Sequence, residues 1–151
     1  MIKKNENLKK IIVYTDGGSR GNPGPAAIGV VIEGLSKDSK EYYEYLGETT
    51  NNEAEYQAVI FALKKIRQLV GKEKLKNIKI DIYLDSELVA NQLNGQYKIE
   101  EEKLQLLFMK IWNLKFDFPN ISFHHIPREK NKKADELVNL CLDQQSSKLF
   151  R

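Results

Sequence analysis

The chain has 151 residues, 41% hydrophobic and 30% charged, with a formal net charge of +3. That length suits a single domain burying roughly two thirds of its unfolded surface, and the composition carries no signature of disorder. No window approaches the ~20 apolar residues of a membrane span, and the lysine-rich N-terminus lacks the apolar stretch of a secretory signal, so a cytoplasmic protein is expected. The domain is expected to occupy 1–151, with 1–9 a flexible extension and 144–151 a frayed tail. Cys141 is the only cysteine. Its apolar surroundings, Leu137 to Leu142, read as core in a reducing compartment, and a disulfide framework or zinc-thiolate site within the chain is ruled out. Lysine runs at 72–76 and 128–133 read first as solvated faces.

An apolar strand from about Lys10 to Thr15 leads into Asp16-Gly17-Gly18-Ser19-Arg20-Gly21-Asn22-Pro23-Gly24-Pro25, a stretch whose Gly and Pro content predicts a turn in place of helix or regular strand. Ala27 to Glu33 reads as a buried strand, and Glu41 to Gly47, with three tyrosines, as a third. Short connections make these three a meander. Thr50 and Glu53 have capping-box spacing at the start of a helix. Its stripe is Val59, Ala62, Leu63, Ile66, Leu69 and Val70, and Gly71 ends it.

Ile78, Ile80, Ile82 and Leu84 alternate with polar neighbours in a fourth strand, which joins the sheet by a crossover because a helix precedes it. Ser86 or Asp85 caps a short helix to about Leu93. A further helix, about Glu100 to Leu114, carries Leu104, Leu107, Phe108, Ile111 and Trp112, with Trp112 and Met109 read as packing residues. Ile121 to Ile126 is a fifth strand, and a polar loop leads to a last helix, about Lys132 to Asp143. The order is that of an α/β fold with a mixed sheet.

Four acids fall at strand ends or in first helical turns: Asp16, Glu55, Asp85 and Asp135. Taken singly, each has a plainer reading: Asp16 bonding its own turn, Asp85 capping a helix, Asp135 complementing a helix dipole. Glu55 is the exception, since it lies on the apolar side of its helix, where an unpaired carboxylate is costly. Taken together, they occupy positions from which side chains can meet at one rim of a sheet. Like charges that close stay ionised only with cations, and oxygen ligands without thiolates select Mg²⁺ or Mn²⁺ over zinc.

The segments 15–25, 49–55 (Thr-Thr-Asn-Asn-Glu-Ala-Glu), 84–87 (Leu-Asp-Ser-Glu) and 131–137 (Asn-Lys-Lys-Ala-Asp-Glu-Leu) resemble, in order, the motifs of type 1 ribonuclease H, over nearly the whole chain. The resemblance implies a ribonuclease H-like fold, a five-stranded mixed sheet in the order 3-2-1-4-5 with helices on both faces. It also implies endonucleolytic cleavage of the RNA strand of RNA/DNA hybrids, leaving 5′-phosphate and 3′-hydroxyl ends. A monomer is expected. Asp16, Glu55, Asp85 and Asp135 match the family's metal-binding acids, and two Mg²⁺ ions roughly 4 Å apart would clamp the scissile phosphate. His125 has the spacing of the family's mobile-loop histidine, ten residues before the last aspartate. The loop after it lacks the usual glycines, and Arg128 is the rival candidate to reach the phosphate.

For substrate, Asn22 and Thr50 match contacts to a DNA-strand phosphate, Asn51 and Asn52 match groups lining the hybrid groove, and the glycines from Gly17 onward keep side chains away from the duplex. Glu87 stands where many relatives have Gln. The basic, tryptophan-rich insertion of some relatives is missing, which predicts weaker and strongly salt-dependent hybrid binding. The competing functional reading is a catalytically silent module binding hybrids or double strands on the same fold; intact acids at all four positions count against it. A nucleotide-binding enzyme built on the glycine stretch lacks the Gly-Lys-Ser/Thr ending of a P-loop, and the stretch leads into a strand rather than a helix.

Overall fold

The computed structural model describes residues 8–149, so most of the expected extension at 1–9 lies outside the described residues. The elements are β1 (Lys9–Ser19), β2 (Gly24–Glu33), β3 (Lys40–Thr49), α1 (Asn51–Val70), α2 (Lys72–Leu75), β4 (Ile78–Leu84), α3 (Glu87–Leu93), α4 (Glu102–Lys115), β5 (Ile121–His125) and α5 (Lys132–Leu149), with a single 3₁₀ turn over Arg128–Lys130 before α5. The five strands form one sheet in the order β3-β2-β1-β4-β5. β1, β2 and β3 pair antiparallel, whereas β4 lies parallel to β1 and β5 parallel to β4. The meander and the crossover are therefore as expected.

One face of the sheet carries the main core. Ile11, Val13, Ile28, Val30, Ile32, Ile80 and Ile82 alternate toward α1, which returns Tyr56, Val59, Leu63 and Ile66, all buried. Each such side chain contributes roughly 1.5–3 kcal/mol by leaving water. α4 packs behind α1 through Leu104 and Ile111. On the opposite face α5 covers β2, β3 and β1, where Val138, Cys141 and Leu142 meet Ala27. Burial pushes the Cys141 thiol pKa up, in keeping with a packing role. Among the described residues, no helix is long and apolar enough to cross a membrane.

Several local expectations need correction. β1 does not stop at Thr15. Asp16, Gly17, Gly18 and Ser19 continue the strand opposite Gly29, Ile28, Ala27 and Ala26, so the turn is confined to Arg20–Pro23. Pairing with a full-length neighbour overrides the weak strand preference of glycine. Two glycines are there for space. A Cβ on Gly17 would lie 2.3 Å from the Ala54 carbonyl group of α1, and a Cβ on Gly29 would lie 2.3 Å from the Ala134 oxygen of α5. One helix is thus drawn tight against each face, at neighbouring points of the same strand pair.

Leu69 is exposed, and so are Trp112 (47%) and Met109 (53%), contrary to their expected packing roles. α4 buries only the stripe Leu104, Leu107, Ile111 and Leu114, and among the described residues nothing further covers its other side. α5 runs on to Leu149, past Asp143 and through most of the stretch expected to fray.

Candidate active site

The register of the parallel strands sets the site. Thr15 of β1 is level with Leu84 of β4, so the next residues, Asp16 and Asp85, emerge side by side at the carboxyl edge of the sheet. Parallel strands lie about 4.8 Å apart, which brings two carboxylates into mutual range without further adjustment. This is the edge where open α/β sheets present functional groups. Asp85 is free to turn there because Ser86 is the cap of α3, its hydroxyl accepting from the Val89 amide at 3.1 Å.

Glu55 arrives from α1. The close approach of the helix at Gly17 lets the Gly17 N–H donate to Glu55 Oε1 at 3.1 Å. Glu55 Oε2 is buried and has no hydrogen-bond partner among the described residues. Carboxylate oxygens of Asp16, Glu55 and Asp85 all lie within 4.8 Å of one another, the first two residues buried and the third half-buried.

Asp135, in the first turn of α5, lines the same cleft, of about 440 Å³, but stands outside that tight triplet. Its carboxylate lies 3.8 Å from the Arg128 guanidinium and accepts from Asn139 Nδ2 at 3.4 Å. It is brought there by the contact at Gly29, which seats the start of α5 over β2 opposite Asp16.

The electrostatics follow from burial and crowding. Burial pushes the Asp16 carboxyl up to about 7, and the charges of Asp85 and Asp135 add to the rise. Glu55 is held well above the ordinary carboxylate range, again by burial first and by Asp16 second. Two buried acids this close retain a proton between them unless a cation replaces it. The orphaned Glu55 oxygen, the oxygen-only donor set and the spacing all fit a hard divalent cation such as Mg²⁺. The only cysteine is buried elsewhere, against Ala27.

The other expected site residues are distributed unevenly. Gly17, Asn51 and Asn52 line the cleft. Asn51 Oδ1 accepts from the Ser19 amide at 2.9 Å, and Asn22 Oδ1 accepts from the Asn51 amide at 2.9 Å, so these two asparagines tie the β1–β2 turn to the start of α1. The Thr50 hydroxyl accepts from the Glu53 amide and donates to the Glu53 carboxylate, and neither Thr50 nor Asn22 is among the residues lining the cleft. Glu87 is exposed in the first turn of α3 and also stands off the cleft lining. Arg128 lines the cleft, whereas His125, exposed at the end of β5, does not. The neighbouring His124 is engaged on the sheet face, 2.8 Å from the buried Asp81.

Two cleft residues, Arg20 and Asn139, and one residue beneath the cleft, Asn131, had no part assigned from the sequence. Arg20 reaches from the β1–β2 turn to Asp143 at 2.7 Å and to Asn139 at 3.4 Å on α5. Asn139 sits one helical turn after Asp135, a spacing that could have pointed to it. Asn131, beneath the cluster, donates to Asp85, and no local sequence signal reveals that its side chain turns that way.

Comparison with known proteins places this geometry in a family. A family model described as "Reverse transcriptase-like" matches residues 14–141. A bifunctional protein of Mycobacterium tuberculosis is 34% identical over 136 residues, covering 89% of this chain and 36% of that protein. Ribonuclease HI of Halobacterium salinarum is 36% identical over 135 residues, covering 89% of this chain and 65% of that protein. The chain thus spans about a third to two thirds of the length of these curated relatives. Among solved structures, LC11-RNase H1, isolated from compost by a metagenomic approach, superposes with a TM-score of 0.84 at 48% identity, covering 91% of this chain and 99% of that one. A second structure holds the same protein in complex with an RNA/DNA hybrid, with a TM-score of 0.83.

Proposed function

The chain belongs to the type 1 ribonuclease H family, and from that premise we propose that it hydrolyses the RNA strand of RNA/DNA hybrids, leaving 5′-phosphate and 3′-hydroxyl ends. The observation that carries this reading is the meeting of the Asp16, Glu55 and Asp85 carboxylates within 4.8 Å at the sheet edge. The 48%-identical neighbour captured with an RNA/DNA hybrid supports the substrate class.

In this reading Asp16, Glu55 and Asp85 hold Mg²⁺, with Asp135 completing the set from α5; Mn²⁺ would fit the same oxygens. When bound, two such ions supply neutralisation of the phosphate charge and activation of water for in-line displacement. The chain's own part is placement. The β1–β4 register fixes Asp16 against Asp85, and Gly17 lets Glu55 reach them. Preorganised groups of this kind act without rearranging during the reaction.

Arg128, 80% exposed and facing Asp135, is the group we assign to the substrate phosphate, in preference to His125. Asn51 and Asn52 border the cleft where the RNA strand would lie, and Gly17 leaves that wall bare of a side chain. Asn22 and Thr50 support the substrate through the α1 terminus they hold, and Glu87 meets it from the rim of α3. A cytoplasmic monomer is the proposed form.

A panel of duplexes tests the proposal. With Mg²⁺, a hybrid labelled on either strand should be cut on RNA alone, and double-stranded DNA should remain whole. Tight binding of the hybrid without cleavage would replace the enzyme reading with that of a binding module.

A further inference from the structure

Asn131 occupies the N-cap position of α5. Its carbonyl accepts from the Asp135 amide at 3.2 Å, the first bond of the helix. An asparagine at such a position ordinarily turns its side-chain oxygen back to accept a free amide of the first turn. Here it does not. The side chain points away from its helix into the sheet, and Nδ2 donates to the Thr15 carbonyl at 2.9 Å and to Asp85 Oδ2 at 2.8 Å. Oδ1 is left buried without a partner among the described residues, and the whole residue is 2% exposed.

The orientation of the amide follows from its neighbours. Two acceptors face the same terminal atom, so that atom must be the NH₂ group, which has two hydrogens to give. The residue forgoes a cap and leaves its own oxygen unsatisfied in order to make those two bonds. Sites where local rules are broken in this way tend to be functional.

We propose that Asn131 is a positioning residue for Asp85. It braces Asp85 against the backbone of β1, the strand that carries Asp16, and occupies one carboxylate oxygen so that the other is presented to the cluster. The brace also couples both to α5, since Asn131 and Asp135 flank the same first turn. Its action on cation affinity and turnover rests on the reading of the cluster as a divalent-cation site. Buried ligand-orienting partners of this kind typically affect metal affinity or activity about 10–100-fold when removed.

The test uses Asn131→Ala and Asn131→Ser, each alone and with Asp85→Asn. Serine is itself a strong N-cap residue but too short to reach Asp85, so Asn131→Ser separates capping from positioning. Mn²⁺ binding is titrated calorimetrically without substrate, and hybrid cleavage is measured separately in Mg²⁺. Both single variants should bind Mn²⁺ about 10–100-fold more weakly and lose kcat to a similar extent, with KM for the hybrid nearly unchanged. In the Asp85→Asn background, Asn131→Ser should change Mn²⁺ affinity little, since the partner it positions is already altered.

Wild-type Mn²⁺ affinity and kcat in Asn131→Ser would overturn the inference while leaving the enzyme reading intact. Weakened Mn²⁺ binding in the variants of a wild-type protein that binds Mn²⁺ but cuts no hybrid would support the inference and sink the proposed activity. A wild-type protein that binds no Mn²⁺ would overturn both.

Discussion

Replacing Asp16 by Asn removes the most crowded charge of the cluster and should stabilise the metal-free protein. Asp16 is 6% exposed, and burial raises its carboxyl from 3.8 to about 7. The folded state therefore binds more protons than the unfolded one between those two values, and stability falls as pH rises through that window. The penalty is absent below about pH 4 and complete above about pH 7. At 1.36 kcal/mol per pH unit it reaches at most about 4 kcal/mol, shared in practice with Glu55, whose carboxyl is raised by the same neighbours. Urea unfolding in chelator, at steps from pH 4 to pH 8, measures the difference between variant and wild type. The difference should grow from near zero at pH 4 to a gain of a few kcal/mol for Asp16→Asn at pH 8. Saturating Mg²⁺ should then stabilise the wild type and not the variant, because ligand binding to the native state adds RT ln(1 + [L]/Kd). A difference independent of pH, or a variant less stable than wild type at pH 8, would refute the electrostatic reasoning.

Other substitutions probe how the elements deliver the site. Gly29→Ala puts a Cβ against the Ala134 carbonyl and should cost about 1–3 kcal/mol in urea unfolding; because the start of α5 carries Asp135, kcat should fall more than KM rises. Ser86→Ala removes the cap of α3 at about 1 kcal/mol, seen in calorimetry as a drop in Tm of about 2–4 °C. Arg128→Ala should weaken hybrid binding and reduce its salt dependence by about one charge, measured as the slope of log Kd against log salt. His125→Ala should leave that slope nearly unchanged.

Much of this architecture can be read from residue order. The strand at 78–84, the stripe of α1 from Val59 to Ile66 and the cap at Thr50 each follow from local chemistry, and the structure keeps all three, although the stripe stops short of the exposed Leu69. The four acids were legible because residue order puts each near an expected strand end or helix start, although β1 in fact runs on past Asp16 to Ser19. Their mutual distances were not, since these depend on the level pairing of Thr15 with Leu84 and on close helix approaches at Gly17 and Gly29. In sequence, Gly17 and Gly18 look like a turn; only a partner strand and a helix pressed against them explain strand geometry there. Trp112 fits the apolar period of α4, yet a period identifies a candidate face without supplying something for it to pack on. α5 outlasts its apolar pattern, because the polar stretch after Asp143 extends a helix already anchored by Val138, Cys141 and Leu142. Asn131 is the most instructive case: at an N-cap its residue type is unremarked, and its diversion to Asp85 depends on two strands remote in sequence.

The central claim is that the carboxylate cluster performs metal-dependent hydrolysis, and single-turnover cleavage of an RNA/DNA hybrid labelled on the RNA strand tests it most directly. The wild-type protein in Mg²⁺ should release 5′-phosphate-ended RNA fragments, while the same protein in chelator, and folded Asp85→Asn in Mg²⁺, should be slower by about a hundredfold or more. Equal rates with and without the cation, or full activity in Asp85→Asn, would contradict the account.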